Sequence, residues 1–110
     1  MNDNQQGEGR ASVRGRMEAS ALRILALRSH TRAELRRKLR GRKFPGAEIE
    51  GLLNRFEEIG YLDDEVAAKS WVRRRLRARP MGRRTMAREL GGIGISADIA
   101  EQALAEGYGA

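Results

Sequence analysis

The 110-residue chain contains 22 basic and 15 acidic side chains, a net charge of +7, with 40 % hydrophobic and 5 % aromatic residues. This length suits one domain or two small units sharing a core, and the composition suits a modest helical core of Leu, Ile and Ala rather than a sheet. Without cysteine the chain forms no disulfide or thiolate metal site, and its longest apolar stretch, Ala21 to Leu27, is interrupted by Arg23 and too short to span a bilayer. No signal-peptide pattern follows Met1, so a cytoplasmic protein without a membrane partner is expected.

Residues 1–16 are rich in Asn, Gln, Gly, Ser and Arg and are read as a disordered tail. A first helix is predicted from about Glu18 to Arg28, with Ala21, Leu22, Leu25 and Ala26 on one face. Thr31-Arg32-Ala33-Glu34 has the spacing of a capping box, so a second helix should run to about Arg40, with Leu35 and Leu39 inward and Gly41 as its stop. Phe44-Pro45-Gly46 is a turn. A third helix then buries Ile49, Leu52, Leu53, Phe56 and Ile59 and ends at Gly60. Asp63 is the expected N-cap of a fourth helix, Asp64 to Ala78, and Asp64 and Glu65 sit where the helix dipole favours acids. This helix turns Ala68, Trp71, Val72 and Leu76 inward. After Pro80-Met81-Gly82, a short fifth helix buries Met86 and Leu90. Ser96 caps a sixth, with Ile99, Ala100, Ala103 and Leu104 inward.

The two halves align at a shift of 51 residues. Leu25 falls on Leu76, Leu35 on Met86, Leu39 on Leu90, Phe44 on Ile95 and Leu53 on Leu104, while Ile49 reaches Ile99 with a one-residue gap. Charge repeats too. Arg28 to Lys43 holds eight bases against Glu34 alone, and Phe44 to Ala68 holds seven acids against Arg55; Lys69 to Arg88 then holds nine bases, and Glu89 to Ala110 four acids. The expectation is an all-α, elongated module of tandem three-helix repeats: two repeats and six helices, spanning 17–62 and 63–107. With only two units, each is expected to bury its apolar face against the other.

Function is carried by charge, not by chemistry. The lone His30 lies at a turn and can build neither a metal site nor a nucleophile pair. Asp63 and Asp64 read as cap and first-turn acids, and Gly91-Gly92-Ile93-Gly94 lacks the Lys-Ser/Thr ending of a phosphate loop. No catalytic, metal or cofactor residue is assigned. With the core leucines inward, Arg36, Arg37 and Arg40 of the second helix, Arg73, Arg74 and Arg77 of the fourth, and Arg84 and Arg88 of the fifth point outward, and Arg37 and Arg88 are repeat equivalents. These eight are the candidate partner-binding residues. Groove-reading helices mix Asn, Gln, Ser or Thr among their arginines. The near-pure Arg and Lys here favour phosphate or acidic-surface contact without sequence reading. Trp71 is expected in the core.

The strings Ala21-Leu22-Arg23-Ile24-Leu25-Ala26-Leu27-Arg28-Ser29-His30-Thr31, Glu34-Leu35-Arg36-Arg37-Lys38-Leu39, Gly60-Tyr61-Leu62-Asp63-Asp64, Arg88-Glu89-Leu90 and Gly94-Ile95-Ser96, in this order and spacing, closely resemble the RecX regulatory protein family. The resemblance runs from about Ala19 to Leu104. It implies a fold of three-helix repeats and negative modulation of the RecA recombinase. Family members bind in the groove of the RecA–DNA filament, limit its growth and damp its ATPase, strand-exchange and coprotease activities. On this reading the partner is the RecA filament, with DNA phosphate contacts, no cofactor and a monomeric chain. The family usually carries three repeats; two are legible here. Direct, sequence-independent nucleic-acid binding by the same arginines is the alternative.

Overall fold

Six helices follow one another without a strand among the described residues: α1 (Asn2–Leu27), α2 (Arg32–Gly41), α3 (Gly46–Glu58), α4 (Asp64–Ala78), α5 (Arg83–Gly92) and α6 (Ala97–Tyr108). The computed structural model describes the backbone of residues 2–109 and the side chains of residues 12–109. Helices α1–α3 form one unit and α4–α6 a second, and the molecule is elongated, 62 × 24 × 20 Å. Among the described residues, no helix is long and apolar enough to cross a membrane.

Local sequence explains most helix ends. The Thr31 hydroxyl accepts from the Glu34 amide at 3.0 Å while the Glu34 carboxylate accepts from the Thr31 amide at 3.0 Å, a complete capping box. Asp63 Oδ1 accepts from the amides of Glu65 and Val66, and Ser96 Oγ from that of Ile99. The α2 and α5 ends close alike: the Phe44 amide donates to Leu39 O and the Ile95 amide to Leu90 O. Each closure needs a left-handed residue, supplied by Lys43 (φ 65°) in the first unit and Gly94 (φ 85°) in the second.

The repeat is visible in the cores. Leu35 and Met86, Leu39 and Leu90, and Leu53 and Leu104 are all buried, each pair in the corresponding place of its unit. An ion pair repeats as well, from the second to the third helix of each unit: Arg32 Nη2 to Glu50 at 3.2 Å, and Arg83 Nη2 to Glu101 at 2.9 Å.

The structure corrects four expectations. The segment read as a tail is helical from Asn2, and residue 1 lies outside the described residues. Once α1 is anchored by buried Met17, proline-free sequence extends it at propagation cost only; Arg16 Nη1 braces it by donating to Ser12 Oγ at 2.9 Å. The buried stripe of α1 is Met17, Ala21 and Ile24, leaving Leu22 and Ala26 exposed, because the stripe is set by spacing from Met17. Ile59 follows the last turn of α3 and is exposed. The units do not share an apolar face. Each has its own core, one centred on Leu35, Leu52, Leu53 and Phe56, the other on Val72, Met86, Leu90 and Leu104.

Separate cores should unfold separately. Leu53→Ala should cost the first unit about 2–5 kcal/mol. Its transition by circular dichroism should move to lower urea and leave a separate later step for the second unit, while Trp71, which lies against Arg28 at the junction, also senses the loss of the first unit. Lys43→Gly should stabilise the first unit by up to about 1 kcal/mol by relieving the left-handed backbone. Chemical denaturation reads that gain.

Candidate functional site: the repeat junction and its basic faces

The α2 N-terminus is where the two units meet, and the meeting is polar. Thr31 Oγ1, already capping its own helix, donates to Ile93 O in the second unit at 2.5 Å. The next amide, of Arg32, donates to Asp64 Oδ1 at 2.9 Å, so the first residue of α4 helps to cap α2. Arg28 grips Glu34 with two nitrogens, at 2.8 and 3.2 Å, and its guanidinium lies 5.6 Å from the centre of the Trp71 ring. Gly94 packs against Ala33 so closely that a Cβ there would collide with it. One four-residue motif thus caps a helix and holds the next repeat.

Ionisation at the junction follows from these contacts. Burial pushes the Glu34 carboxyl up, but the Arg28 guanidinium and the Thr31 amide outweigh it, and the group is held below its ordinary value. His30 is buried. Its desolvation, joined by the charges of Arg28 and Lys38, lowers its pKa despite the hydrogen bond to Arg28 O. A neutral ring fits both contacts: Nδ1–H donates to Arg28 O at 3.0 Å and Nε2 accepts from Lys38 Nζ at 2.7 Å.

Beside these contacts lies a cleft of about 490 Å³, walled by Ala33, Glu34, Arg37 and Lys38 of α2 and floored by Gly91 to Gly94. Arg37 is exposed and has no hydrogen-bonding partner among the described residues, so the cleft has a free cationic wall. The eight candidate arginines are not alike. Arg36 is tied to Glu50 through Nε at 2.8 Å and Nη2 at 2.9 Å. With Arg32 on the same carboxylate, this pair holds Glu50 down to about 2. Arg36 is therefore a strut between α2 and α3. Arg40, Arg73, Arg77 and Arg84 are exposed without carboxylate partners among the described residues, and Arg88 makes only a 3.4 Å contact to Thr85 Oγ1. Arg73 and Arg77 flank a groove with Val72, Leu76 and Gly107. Arg74 lies 5.5 Å from the centre of the Trp71 ring with a buried Nε that lacks a partner. Burial, then the nearby Arg28 charge, lowers its pKa.

Trp71 is half-buried, not enclosed. Its indole N–H donates to Glu89, which also receives Arg75 at 2.7 and 2.9 Å. Five of the eleven acids of the sequence blocks are paired in this way. Glu50 and Glu57 go to Arg32, Glu89 to Arg75, Glu101 to Arg83 and Glu106 to Lys69. Because these acids pair with other cations, Arg37, Arg40, Arg73, Arg77, Arg84 and Arg88 are left without carboxylate partners among the described residues, which makes their faces basic. Sequence reasoning missed Arg28, Thr31 and Asp64 as junction residues. The capping box was a readable signal for Thr31 and Glu34, but Ile93 lies 62 residues from Thr31 and nothing local announces that bond.

Fold and charge define a class: a tandem three-helix-repeat protein with exposed cationic faces, and with no group of three metal-ligating side chains among the described residues. Comparison with known proteins makes this particular. The model of the first three-helix domain of RecX matches residues 19–56, and that of the second matches residues 63–104. The chain belongs to the RecX family of regulatory, non-enzymatic proteins. The regulatory protein RecX of Thermobifida fusca (strain YX) is 40 % identical over 89 residues, covering 81 % of this chain and 48 % of that protein. That of Streptomyces coelicolor is 38 % identical over 88 residues, covering 80 % and 47 %. A crystal structure of RecX from Lactobacillus salivarius superposes with a TM-score of 0.78 at 28 % identity, covering 86 % of this chain and 61 % of that one. A further crystal structure of a regulatory protein RecX, 20 % identical, shares the fold with a TM-score of 0.84 over 96 % of this chain and 52 % of that one. The chain spans about half the length of the curated relatives it matches.

Glu34→Gln should lower the stability of the first unit at neutral pH by about 2 kcal/mol, the scale of a lost charged hydrogen bond. Because folding depresses this carboxyl below its ordinary 4.5, its contribution is complete above that value and is lost as pH falls through the lower folded value. Urea titrations of the two proteins should therefore converge in acid; a gap that persists there would refute the ionic origin.

Proposed function

We propose that this chain binds the RecA–DNA filament in the cytoplasm and negatively modulates RecA, damping its ATPase, strand-exchange and coprotease activities. Family membership supports the regulatory role. The observation that carries the filament reading is the repetition of free cationic faces: Arg37 on α2 and Arg88 on α5 are exposed at equivalent positions of the two units, neither with a carboxylate partner among the described residues. A filament repeats its own acidic features and phosphates along its axis. Two basic faces on one elongated chain can engage successive features, and the second contact forms at high effective concentration once the first is made.

Direct, sequence-independent nucleic-acid binding is the second reading, favoured by the same arginines and by the scarcity of Asn and Gln among them. The two readings part on bare against RecA-coated DNA. On the filament reading the chain prefers coated DNA and, below stoichiometric amounts, slows the DNA-dependent ATPase of RecA. The Arg37→Glu, Arg88→Glu double variant should restore most of that rate while keeping its circular dichroism spectrum. Unchanged ATPase at several-fold excess of the wild-type chain would sink the filament reading. Tight binding to bare DNA with a steep salt dependence and no preference for coated DNA would establish the second.

A further inference from the structure

The surface opposite in character to the basic faces lies at the loop joining the units. Tyr61 and Val66 are 56 % and 50 % exposed, and Ile59, two residues before Tyr61, is 60 % exposed. Tyr61 is held firmly: its amide donates to Phe56 O at 2.8 Å, and its ring meets the Phe56 ring edge-on, centroids 5.3 Å apart. With Ser29, His30, Gly60, Asp63 and Val66 it lines a depression of about 120 Å³. The Tyr61 hydroxyl has no hydrogen-bond partner among the described residues. The other tyrosine, Tyr108, is the last residue of α6 and is used structurally: it is half-buried and donates to Met81 O at 2.7 Å. Tyr61 has no such duty.

Charge identifies the occupant. Glu58 and Glu65 are exposed without ion-pair partners among the described residues, and Asp63 caps α4 through Oδ1 at the rim of the depression. Of the cations around the loop, Arg28 holds Glu34 and Arg32 holds Glu50 and Glu57. Acids concentrated in this short loop disfavour phosphate, and the exposed Tyr61 and Val66 favour a protein as the occupant. A rigid exposed aromatic beside a depression, with Asp63 at its rim and the unpaired Glu58 and Glu65 close by in the chain, suits a protein surface that offers an apolar side chain flanked by cations.

We infer that the Tyr61–Val66 patch, with Asp63 at its rim and Glu58 and Glu65 flanking it along the chain, is a protein-docking surface that receives a basic, apolar-anchored segment of the protein part of the filament. This rests on the filament reading and divides the labour within it. The arginine faces meet acidic surface and phosphate; the acidic loop meets protein.

The test measures binding of the wild-type chain, Tyr61→Ala and the Glu58→Gln, Glu65→Gln double variant to single-stranded DNA, bare and coated with RecA, by fluorescence anisotropy. Each variant should lose about tenfold in affinity for coated DNA, the scale of a hot-spot truncation. Bare-DNA affinity should hold for Tyr61→Ala and hold or rise for the glutamine variant, which carries fewer negative charges. The glutamine variant touches no core contact, so it reads the surface even where Tyr61→Ala perturbs Phe56. Full affinity of both variants for coated DNA, or an equal loss on bare DNA, would overturn the docking surface while leaving the filament reading standing. Failure of the wild-type chain to bind coated DNA would remove both.

Discussion

The capping box at Thr31 and Glu34 is the contact on which the arrangement of this molecule turns. It starts α2, as such a box does in any helix. Here each of its two side chains has a second task. The threonine hydroxyl reaches the backbone of Ile93, and the glutamate fixes Arg28, whose guanidinium lies over Trp71. Residues of both units thus converge on one helix end. The equivalent start of α5, at Gly82, has no side-chain cap, so the device belongs to the first unit alone.

A polar junction between two apolar cores has a mechanical consequence. Apolar faces pack over broad areas, whereas hydrogen bonds and one cation–π contact fix orientation through a few directed contacts. The two units are therefore joined at a defined angle by a small number of groups, with a cleft beside them, rather than fused into one core. For a module that presents a basic face on each unit, that angle sets the spacing of the faces.

Charge is divided by use as well as by position. The sequence blocks of acids and bases look like separate patches along the chain, but in three dimensions acids of α3 and α6 lie against cations of α2, α4 and α5. Arg32 and Arg36 meet Glu50, Arg83 meets Glu101, and Lys69 meets Glu106. These exposed or half-exposed pairs add little stability individually. Their larger effect is to neutralise those acids where they lie. Unpaired charge is left as a set of exposed arginines and, at the loop after α3, as acids near Tyr61.

Helix number, helix order and the repeat were legible in the residues, because amphipathic spacing, Thr31, Asp63 and Ser96 as caps, and the 51-residue recurrence of Leu35, Leu39 and Leu53 are all local or periodic signals. The outward direction of Arg37, Arg73, Arg77, Arg84 and Arg88 was legible for the same reason, since a wheel with buried leucines fixes the opposite face. What no wheel could decide was which outward arginines remain free. Arg36 and Arg37 are neighbours in sequence, yet Arg36 is bound to Glu50 because α3 crosses beside it, and Arg37 faces the cleft. The polar joining of the units and the exposure of Ile59 and Tyr61 were likewise settled only by packing, through contacts such as Thr31 to Ile93 whose partners lie far apart along the chain. The sequence by itself determined the helices, their caps and their doubled pattern, since those depend on neighbours within a few residues. The tertiary structure decided which charges are spent and which are offered, since that depends on what each helix lies against.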